Sequence, residues 1–340
     1  MHPFLAPDFH VRWSTLTPEH IEPDIRHALE LSKQNIAAIC AQDPTTATYH
    51  GTFPALEQAT EVLGRAWGRL QHLDAVNDNP AQREALNKML PEVSDFYSSI
   101  PLNARLWQVI ENVAASPEIA QLTPVQQRFV GETLADFRQA GADLPPEQKQ
   151  RIAAIDAELS KLTQAYTEHV LDSTNAWELI IDEEAQLAGL PDSAKAAAAA
   201  NARAKAKSAD QQPANTEPPH PPTWRFTLHA PSMVPVMQHL NNEAIRRQMW
   251  EASTRVGAYG EYDNSPLVWQ ILQLRQDKAA ILGHDHFADL TLQRRMAKTG
   301  RRALGFIEDL HARIHQTFLA EYRQLAHYKA AKTCQPETPL

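Results

Sequence analysis

Cysteine is nearly absent from this 340-residue chain, which contains only Cys40 and Cys334. Two thiols so far apart in sequence cannot build a disulfide scaffold or a cysteine-rich zinc module, and such sparse use is typical of a reducing compartment. The sequence also lacks an apolar run of the ~20 residues that cross a bilayer. No basic stretch followed by an apolar one opens the chain, so we expect no secretory signal. The composition therefore predicts a cytoplasmic protein without a membrane partner.

The chain has fewer positively charged than negatively charged residues. Lysine and arginine total 32 against 41 aspartates and glutamates, which gives a net charge of −9. An acidic chain is a poor ligand for a phosphate backbone, so we expect no nucleic-acid partner. A basic run between residues 294 and 302 is the one feature that favours nucleic acid. It has no interleaved aromatic residues, and we interpret it as a solvated helix junction.

Glycine is also scarce, with 11 residues against 24 prolines. Several prolines follow a small polar residue, and this dipeptide is typical of a helix start because the polar side chain caps free N–H groups and proline fits the first turn. These predicted starts are Thr17-Pro18, Asn79-Pro80, Ser116-Pro117, Thr123-Pro124 and Ser265-Pro266. Between them apolar residues recur every three or four positions, which predicts amphipathic helices packed on a core.

Strand-forming sequence occurs in two short segments, 177–182 and 224–228, which we expect to pair as a two-stranded ribbon. The intervening residues 193–208 are alanine-rich and predict an exposed helix, whereas 213–222 contain five prolines and predict an extended loop. Pro91 falls inside a helical pattern and is expected to break or kink it. These features divide the chain into a helical part (1–176), the ribbon with its helix and loop (177–228) and a second helical segment (229–340).

Catalytic motifs are missing. There is no nucleophile elbow, phosphate-binding loop, dinucleotide fingerprint or Cys-x-x-Cys pair. His311 and His315 have the spacing of the His-Glu-x-x-His zinc motif, but residue 312 is alanine where that motif needs a glutamate as general base. His284-Asp285-His286 lacks a third anchor. We interpret these histidines as solvated or partly packed, and an independent metalloprotein that uses them is the less favoured alternative.

The segment from Tyr262 to Lys298 resembles the thimet oligopeptidase/oligopeptidase A family. The residues that carry the resemblance are Asp263-Asn264-Ser265-Pro266, Ile271-Leu272-Gln273-Leu274-Arg275, Leu282-Gly283 and Met296-Ala297. Further islands occur in the family's order: Thr17-Pro18-Glu19-His20, Phe137-Arg138-Gln139-Ala140-Gly141, Leu171-Asp172-Ser173-Thr174, Leu187-Ala188-Gly189-Leu190-Pro191 and Pro231-Ser232-Met233-Val234-Pro235. The resemblance extends from about residue 3 to the end of the sequence.

The resemblance implies an all-α helical array that forms one lobe of a clam-like fold of the neurolysin and thimet oligopeptidase type. In that family a deep channel between two lobes admits short peptides, and a His-Glu-x-x-His helix in the second half holds zinc. This chain lacks that motif. It therefore resembles the N-terminal, substrate-channel half of a zinc-dependent oligopeptidase, with short peptides and the missing catalytic half as partners. We expect zinc in the complete protein and none bound by this chain.

No catalytic or metal-binding residue can be carried over from the family to this sequence, so we expect the chain alone to be inactive. Candidates for contact with the substrate channel are Arg255, Tyr259, Asp263 and Asn264, which lie in a polar connection between two predicted helices. An ordinary capped loop is the alternative interpretation of these four residues. The alternative function is a non-catalytic helical interaction protein derived from a truncated peptidase.

Overall fold

The computed structural model describes residues 2–209, 223–334 and Pro336. Helices dominate these residues, and one antiparallel pair of strands interrupts them, so the predicted all-α array with a small β-ribbon is confirmed. The proline-rich segment 213–222, for which we predicted an extended loop, lies outside the described residues. None of the described helices is long and apolar enough to span a membrane.

The chain begins with α1 (Pro18–Cys40), α2 (Tyr49–Ala59), α3 (Glu61–Asn77), α4 (Pro80–Leu102), α5 (Ala104–Ala114), α6 (Pro124–Ala140) and α7 (Pro146–Ala176). It continues with β1 (Glu178–Ile181), α8 (Asp192–Ala209), β2 (Trp224–Thr227), α9 (Ala230–His239), α10 (Glu243–Ser253), α11 (Ser265–Ile281), α12 (Phe287–Leu292) and α13 (Gly300–Thr333). Short 3-10 helices cover Pro3–Leu5, Trp13–Thr15, Pro117–Gln121, Glu184–Leu187 and Gly260–Tyr262.

Local capping explains where several helices begin. The Asn79 side chain accepts a hydrogen bond from the Gln82 amide at 3.0 Å. Thr123 forms a complete capping box, because its side chain accepts from the Gln126 amide and the Gln126 side chain accepts from the Thr123 amide. At Ser116-Pro117 the structure begins only a short 3-10 helix, so an α-helix start is wrong there. Gly141 ends α6 with φ of 104°, a conformation that glycine adopts without strain.

Pro91 does not break its helix, so a break was the wrong expectation, and a kink at this position remains a prediction. Helix α4 continues from Pro80 to Leu102 and contains Pro91 in its interior. Proline removes one backbone donor, and that loss is local. Buried side chains lie on both sides of it, at Met89 and Val93, and their packing on the core holds the helix together through the proline.

The chain forms two compact units, residues 1–155 with 273–340, and residues 156–272. In the first unit, α1 packs against α2, α3, α4 and α5, and α6 packs against α4 and α5. We call α1–α6 the helical bundle. Its core includes side chains with no measurable exposure, namely Ile25, Phe53, Leu63, Leu70, Met89, Leu106 and Ile110.

Two buried charged groups attach the first residues of the chain to this bundle. Asp24 of α1 is 1% exposed, and its carboxylate accepts from the Phe4 amide at 2.9 Å and contacts His2 Nδ1 at 2.7 Å. Arg69 of α3 donates to the Phe4 carbonyl at 2.9 Å. Each buried charge therefore satisfies backbone groups that would otherwise be left without partners.

Helix α13 has a different environment within the same unit. The Thr299 side chain caps it by accepting from the Arg302 amide at 3.2 Å. Of its 34 residues only Ala326 is buried. Five large apolar side chains follow one side of the helix, with exposed fractions between 45% and 60%, and we call them the α13 apolar face: Ile307, Leu310, Ile314, Phe318 and Leu325.

The second unit is organised around the ribbon. Strands β1 and β2 are antiparallel, with Glu178 opposite Thr227 and Ile181 opposite Trp224. Helices α8 and α9 pack against β2, and the core of this unit contains Ile181, Leu187, Phe226, Val236 and Met249. The alanine-rich segment forms α8 as its composition predicts. The predicted division of the chain at residues 176 and 228 remains a prediction.

Candidate functional site

Arg255 and Tyr259, two of the four residues singled out from the sequence, line one cavity in the second unit. The cavity has a volume of about 590 Å³ and is bounded by Trp177, Gln248, Glu251, Ala252, Arg255, Ala258 and Tyr259. Arg255 follows the last turn of α10, and the backbone turns there because the Ala258 amide donates to the Arg255 carbonyl at 3.0 Å. Tyr259 is 51% exposed, so its ring is available to a ligand.

Of the two charged side chains that line this cavity, one is paired with an opposite charge and the other is not. Glu251 accepts from Arg247 Nε at 2.9 Å, so its carboxylate is already paired. Within the described residues the Arg255 guanidinium has no hydrogen-bond or ion-pair partner. An unpaired guanidinium beside two aromatic rings, Trp177 and Tyr259, suits a ligand that combines a carboxylate or carbonyl oxygen with an apolar side chain.

Asn264 is placed differently, because the residue is 4% exposed and its side-chain amide bonds to other parts of the protein. Its amide nitrogen donates to the Tyr166 carbonyl at 3.2 Å, and its amide oxygen lies 2.9 Å from His169 Nδ1. Both partners belong to α7. The Asn264 backbone amide donates to the Gly257 carbonyl at 2.9 Å, so this one residue ties the connection after α10 to α7.

Gly257 completes this anchor. Its φ is 67°, and a Cβ atom at this position would lie 2.9 Å from Asn264 Nδ2. Its amide donates to the Ser173 side chain at 3.1 Å. Glycine is required here both by the left-handed backbone and by the close approach of Asn264. The anchor fixes the backbone immediately before Tyr259.

Asp263 caps α11. Its carboxylate accepts from the Ser265 amide at 2.9 Å, and hydrogen bonds from Ser265 lower the pKa of Asp263 below its ordinary value. The neighbouring Tyr262 has a raised pKa, chiefly because the Glu261 carboxylate lies nearby. The four predicted residues thus divide into Arg255 and Tyr259, which line a cavity, and Asp263 and Asn264, which hold the backbone. Substrate contact by any of them remains a prediction.

Sequence reasoning missed Trp177, Gln248 and Glu251 as lining residues. A signal for two of them was present, because positions 248, 251 and 255 are spaced to lie on one side of a helix that continues into the next turn. Trp177 gave no such signal. It precedes β1 and reaches the cavity only through the fold of the second unit.

A second cavity, of about 480 Å³, lies in the first unit between α6 and α12. Arg294 pairs there with Glu132 and Asp136 of α6, and Gln139 Nε2 donates to the Leu290 carbonyl at 2.9 Å. Arg294, part of the basic run noted in the sequence, is therefore matched with two acids. These contacts attach α12 to the helical bundle and leave few groups free for a ligand.

The residues present do not fit a catalytic zinc centre. Within residues 2–209 and 223–334, no group of three or more histidine, cysteine, aspartate or glutamate side chains is placed to hold a metal. His311 and His315 are adjacent, with ring centroids 4.8 Å apart, but Ala312 occupies the position of the motif's base. A hydrolytic zinc site uses three protein ligands and a base, so no hydrolytic step is assigned to this chain's residues.

Comparison with known proteins gives consistent matches along the sequence. The family described as "Neurolysin/Thimet oligopeptidase, N-terminal domain" matches residues 25–149, and "Peptidase family M3" matches residues 236–338. The chain is 32% identical to Oligopeptidase A of Escherichia coli (strain K12) over 335 residues, which are 97% of this chain and 46% of that protein.

More distant relatives show the same coverage. The chain is 31% identical to Oligopeptidase A of Haemophilus influenzae, over 93% of this chain and 45% of that protein. It is 26% identical to Dipeptidyl carboxypeptidase of Escherichia coli (strain K12), over 91% of this chain and 43% of that protein. The chain therefore spans about half the length of the curated relatives it matches.

Proposed function

The chain belongs to the oligopeptidase A and thimet oligopeptidase family, and from that membership we propose that it is the N-terminal, substrate-channel portion of a zinc-dependent oligopeptidase that hydrolyses short peptides. Oligopeptidases of family M3 are zinc metallopeptidases. The observation that carries the proposal is the match of 97% of this chain to 46% of a peptidase, together with the match of residues 25–149 to the N-terminal domain described for this family. In this proposal the helical array is one lobe of a clam-like molecule.

The contribution of this chain is to bind and orient the peptide. The cavity at Arg255 supplies an unpaired cation, and Trp177 and Tyr259 supply aromatic surface beside it. Arg255 would bind a peptide carboxylate or carbonyl oxygen, and the rings would contact a neighbouring side chain. A channel wall of this kind admits an extended short peptide and excludes a folded protein, because only the former exposes backbone and side chains along a narrow path.

Hydrolysis itself requires groups that these 340 residues do not contain. No His-Glu-x-x-His sequence occurs among them, so we expect this chain alone to cleave no peptide. A catalytic half would supply the zinc and the base. The α13 apolar face supports such a partner, because a row of five large apolar side chains that are each 45% to 60% exposed is typical of an interaction surface.

The same face favours the alternative function, a non-catalytic helical interaction protein. The two proposals differ in the identity of what covers α13. A peptidase portion has a zinc-binding catalytic half as its stable partner, whereas an interaction protein has a partner with no peptidase activity. We also propose a cytoplasmic location without nucleic-acid or membrane partners, which the sparse cysteine content and the net charge of −9 support.

Immunoprecipitation from the cells that make the protein tests the proposal. An antibody against the helical bundle should precipitate an activity that cleaves a quenched fluorescent short peptide, and a zinc chelator should abolish that cleavage. The purified 340-residue chain should show no cleavage under the same conditions. A precipitate that contains the 38.1 kDa chain with a reproducible partner and no peptidase activity would favour the interaction protein instead.

Substitution of Arg255 tests the site within that proposal. In the precipitated enzyme, Arg255→Ala should raise KM about tenfold with little change in kcat, because the lost contact is made in both the ground state and the transition state. Arg203→Ala is the matched control, since Arg203 is an exposed arginine of α8 in the same unit. Equal KM values for the two variants would remove Arg255 from the proposed channel.

A further inference from the structure

Two histidines of α13 lie one helical turn apart with free ring nitrogens. His311 and His315 are separated by four residues, so both project from the same side of the helix. Their ring centroids are 4.8 Å apart and their planes are inclined by 33°. His311 is exposed and His315 half-buried. Within the described part of the chain neither ring has a hydrogen-bond partner.

We propose that His311 and His315 form a two-histidine binding site for a divalent transition-metal cation such as Ni²⁺, Cu²⁺ or Zn²⁺. Neutral imidazoles are good ligands for these cations, and histidines spaced i, i+4 on a helix are a proven way to present two of them to one metal. Water would fill the remaining coordination positions. The site is independent of the proposed function, and it revises the sequence expectation that this chain binds no metal.

The charges around the pair favour a cation. Arg313 lies between the two histidines in sequence, but it belongs to another side of the helix and its guanidinium pairs with Asp309 at 2.9 Å. Glu308 is three residues before His311 and lies on the histidine side, where its carboxylate adds negative charge. The positive charge of Arg313 is thus paired with an acid, and the carboxylate of Glu308 remains on the histidine side of the helix.

Metal binding at this position has a structural consequence. Both histidines must be helical to bind one cation, so the bound metal stabilises the turns that connect them. Helix α13 gains little stability from tertiary packing, since only Ala326 of its 34 residues is buried. The site therefore acts as a metal-dependent support for the middle of α13. It has no glutamate base at Ala312, so it carries no hydrolytic role.

A side-chain exchange gives a control of identical composition. The double variant His315→Gln, Gln316→His keeps every residue type and count, but it places the second histidine about 140° from His311 around the helix. Gln316 is exposed, so the exchange disturbs no core packing. All other histidines of the chain are unchanged in this variant, and their contribution to metal binding is therefore the same in both proteins.

The experiment is a titration of the metal-stripped 340-residue chain with NiCl₂, followed by calorimetry and by hydrogen exchange. The wild-type chain should show one site that the exchanged variant binds about tenfold or more weakly, because chelation makes the second ligand intramolecular. Nickel should slow amide exchange in residues 307–319 of the wild-type chain alone. Equal affinities in the two proteins, or protection that appears only outside α13, would overturn the proposal.

Discussion

The helical bundle α1–α6 and helix α13 belong to the same compact unit and are built from the same kind of amphipathic sequence, yet they bury their apolar residues very differently. Phe53 of the bundle has no measurable exposure, whereas Phe318 of α13 is 58% exposed. Helix α1 packs against four other helices, and α13 packs mainly against the short α12. An apolar stripe therefore predicts that a helix has a face to bury. It does not reveal whether the partner for that face lies in the same chain.

The difference separates two sources of stability. The core side chains of the bundle are buried by other residues of the same chain. Substitutions of these side chains should therefore change the free energy of unfolding directly. The α13 apolar face contributes little to that quantity, because its side chains contact water in the folded state. Substitutions on the α13 apolar face should instead change how strongly the chain associates with another molecule.

The largest effect is expected for Phe53→Ala. Removal of a fully buried phenylalanine loses its transfer free energy and leaves a cavity, which costs about 3–5 kcal/mol of unfolding free energy. Chemical denaturation followed by circular dichroism measures it. The matched control is Phe318→Ala, which makes the same chemical change on α13. Similar losses of unfolding free energy in the two variants would show that α13 is as well buried as the helical bundle, which would contradict the comparison.

A smaller loss is expected for Asp24→Ala. The variant leaves the buried Phe4 amide without its acceptor, and an unsatisfied buried donor costs about 1–3 kcal/mol. Hydrogen exchange should show the loss of protection first at Phe4 and the residues that follow it. Unchanged protection at Phe4 together with unchanged stability would show that the N-terminal segment is held by apolar packing alone.

Acid should loosen the attachment of α12, the helix next to α13, before it affects the bundle core. The hydrogen bond from Arg294 holds the pKa of Glu132 below its ordinary value of 4.5. The stabilisation is fully present above pH 4.5 and is lost as the pH falls through that lowered pKa. Amide protection factors of residues 287–292 should therefore fall in this range while those of α1 persist.

Glu132→Gln tests that assignment, because it removes the charge that titrates. The variant should show weaker protection of α12 at neutral pH and a smaller acid-dependent change. Glu57→Gln, at an exposed glutamate of α2, should leave both quantities at their wild-type values. An acid-dependent loss that is the same in the Glu132 variant and the wild-type chain would assign the titration to another group.

The smallest effect on stability is expected for Phe318→Ala itself. An exposed substitution changes the unfolding free energy by less than about 0.5 kcal/mol, and alanine also has the higher helix propensity. Its readout is association. Sedimentation velocity should show less self-association of the isolated chain, because the variant removes part of the α13 apolar face. A fall in stability of several kcal/mol would mean that the face is buried in solution.

Local sequence signals predicted much of the fold because their physical causes are local. Asn79 and Thr123 cap the helices that follow them with bonds to residues three positions away. The expected helix break at Pro91 was wrong for the opposite reason, since packing on the core by Met89 and Val93 outweighs the loss of one helical hydrogen bond. That packing depends on residues distant in sequence, so the residues close to the proline along the chain do not reveal it.

The candidate site was predictable only in part. Arg255 and Tyr259 are close in sequence and share a cavity, whereas Trp177 joins them only through tertiary structure. Asn264 was selected as a polar residue of a connection, and the structure shows its amide buried between α7 and the loop. A sequence indicates that an asparagine is polar, but only the fold decides whether its hydrogen bonds go to a ligand or to the backbone.

The β1–β2 ribbon has a consequence for how this chain can change over evolution. Because the strands are antiparallel, Leu179 lies opposite Phe226 and Ile181 lies opposite Trp224, although α8 stands between the two strands in the sequence. A substitution at one paired position changes the surroundings of its cross-strand neighbour, so accepted changes at Leu179 and Phe226, or at Ile181 and Trp224, should accompany one another in related sequences. The ribbon thus links the evolution of two segments that are far apart along the chain.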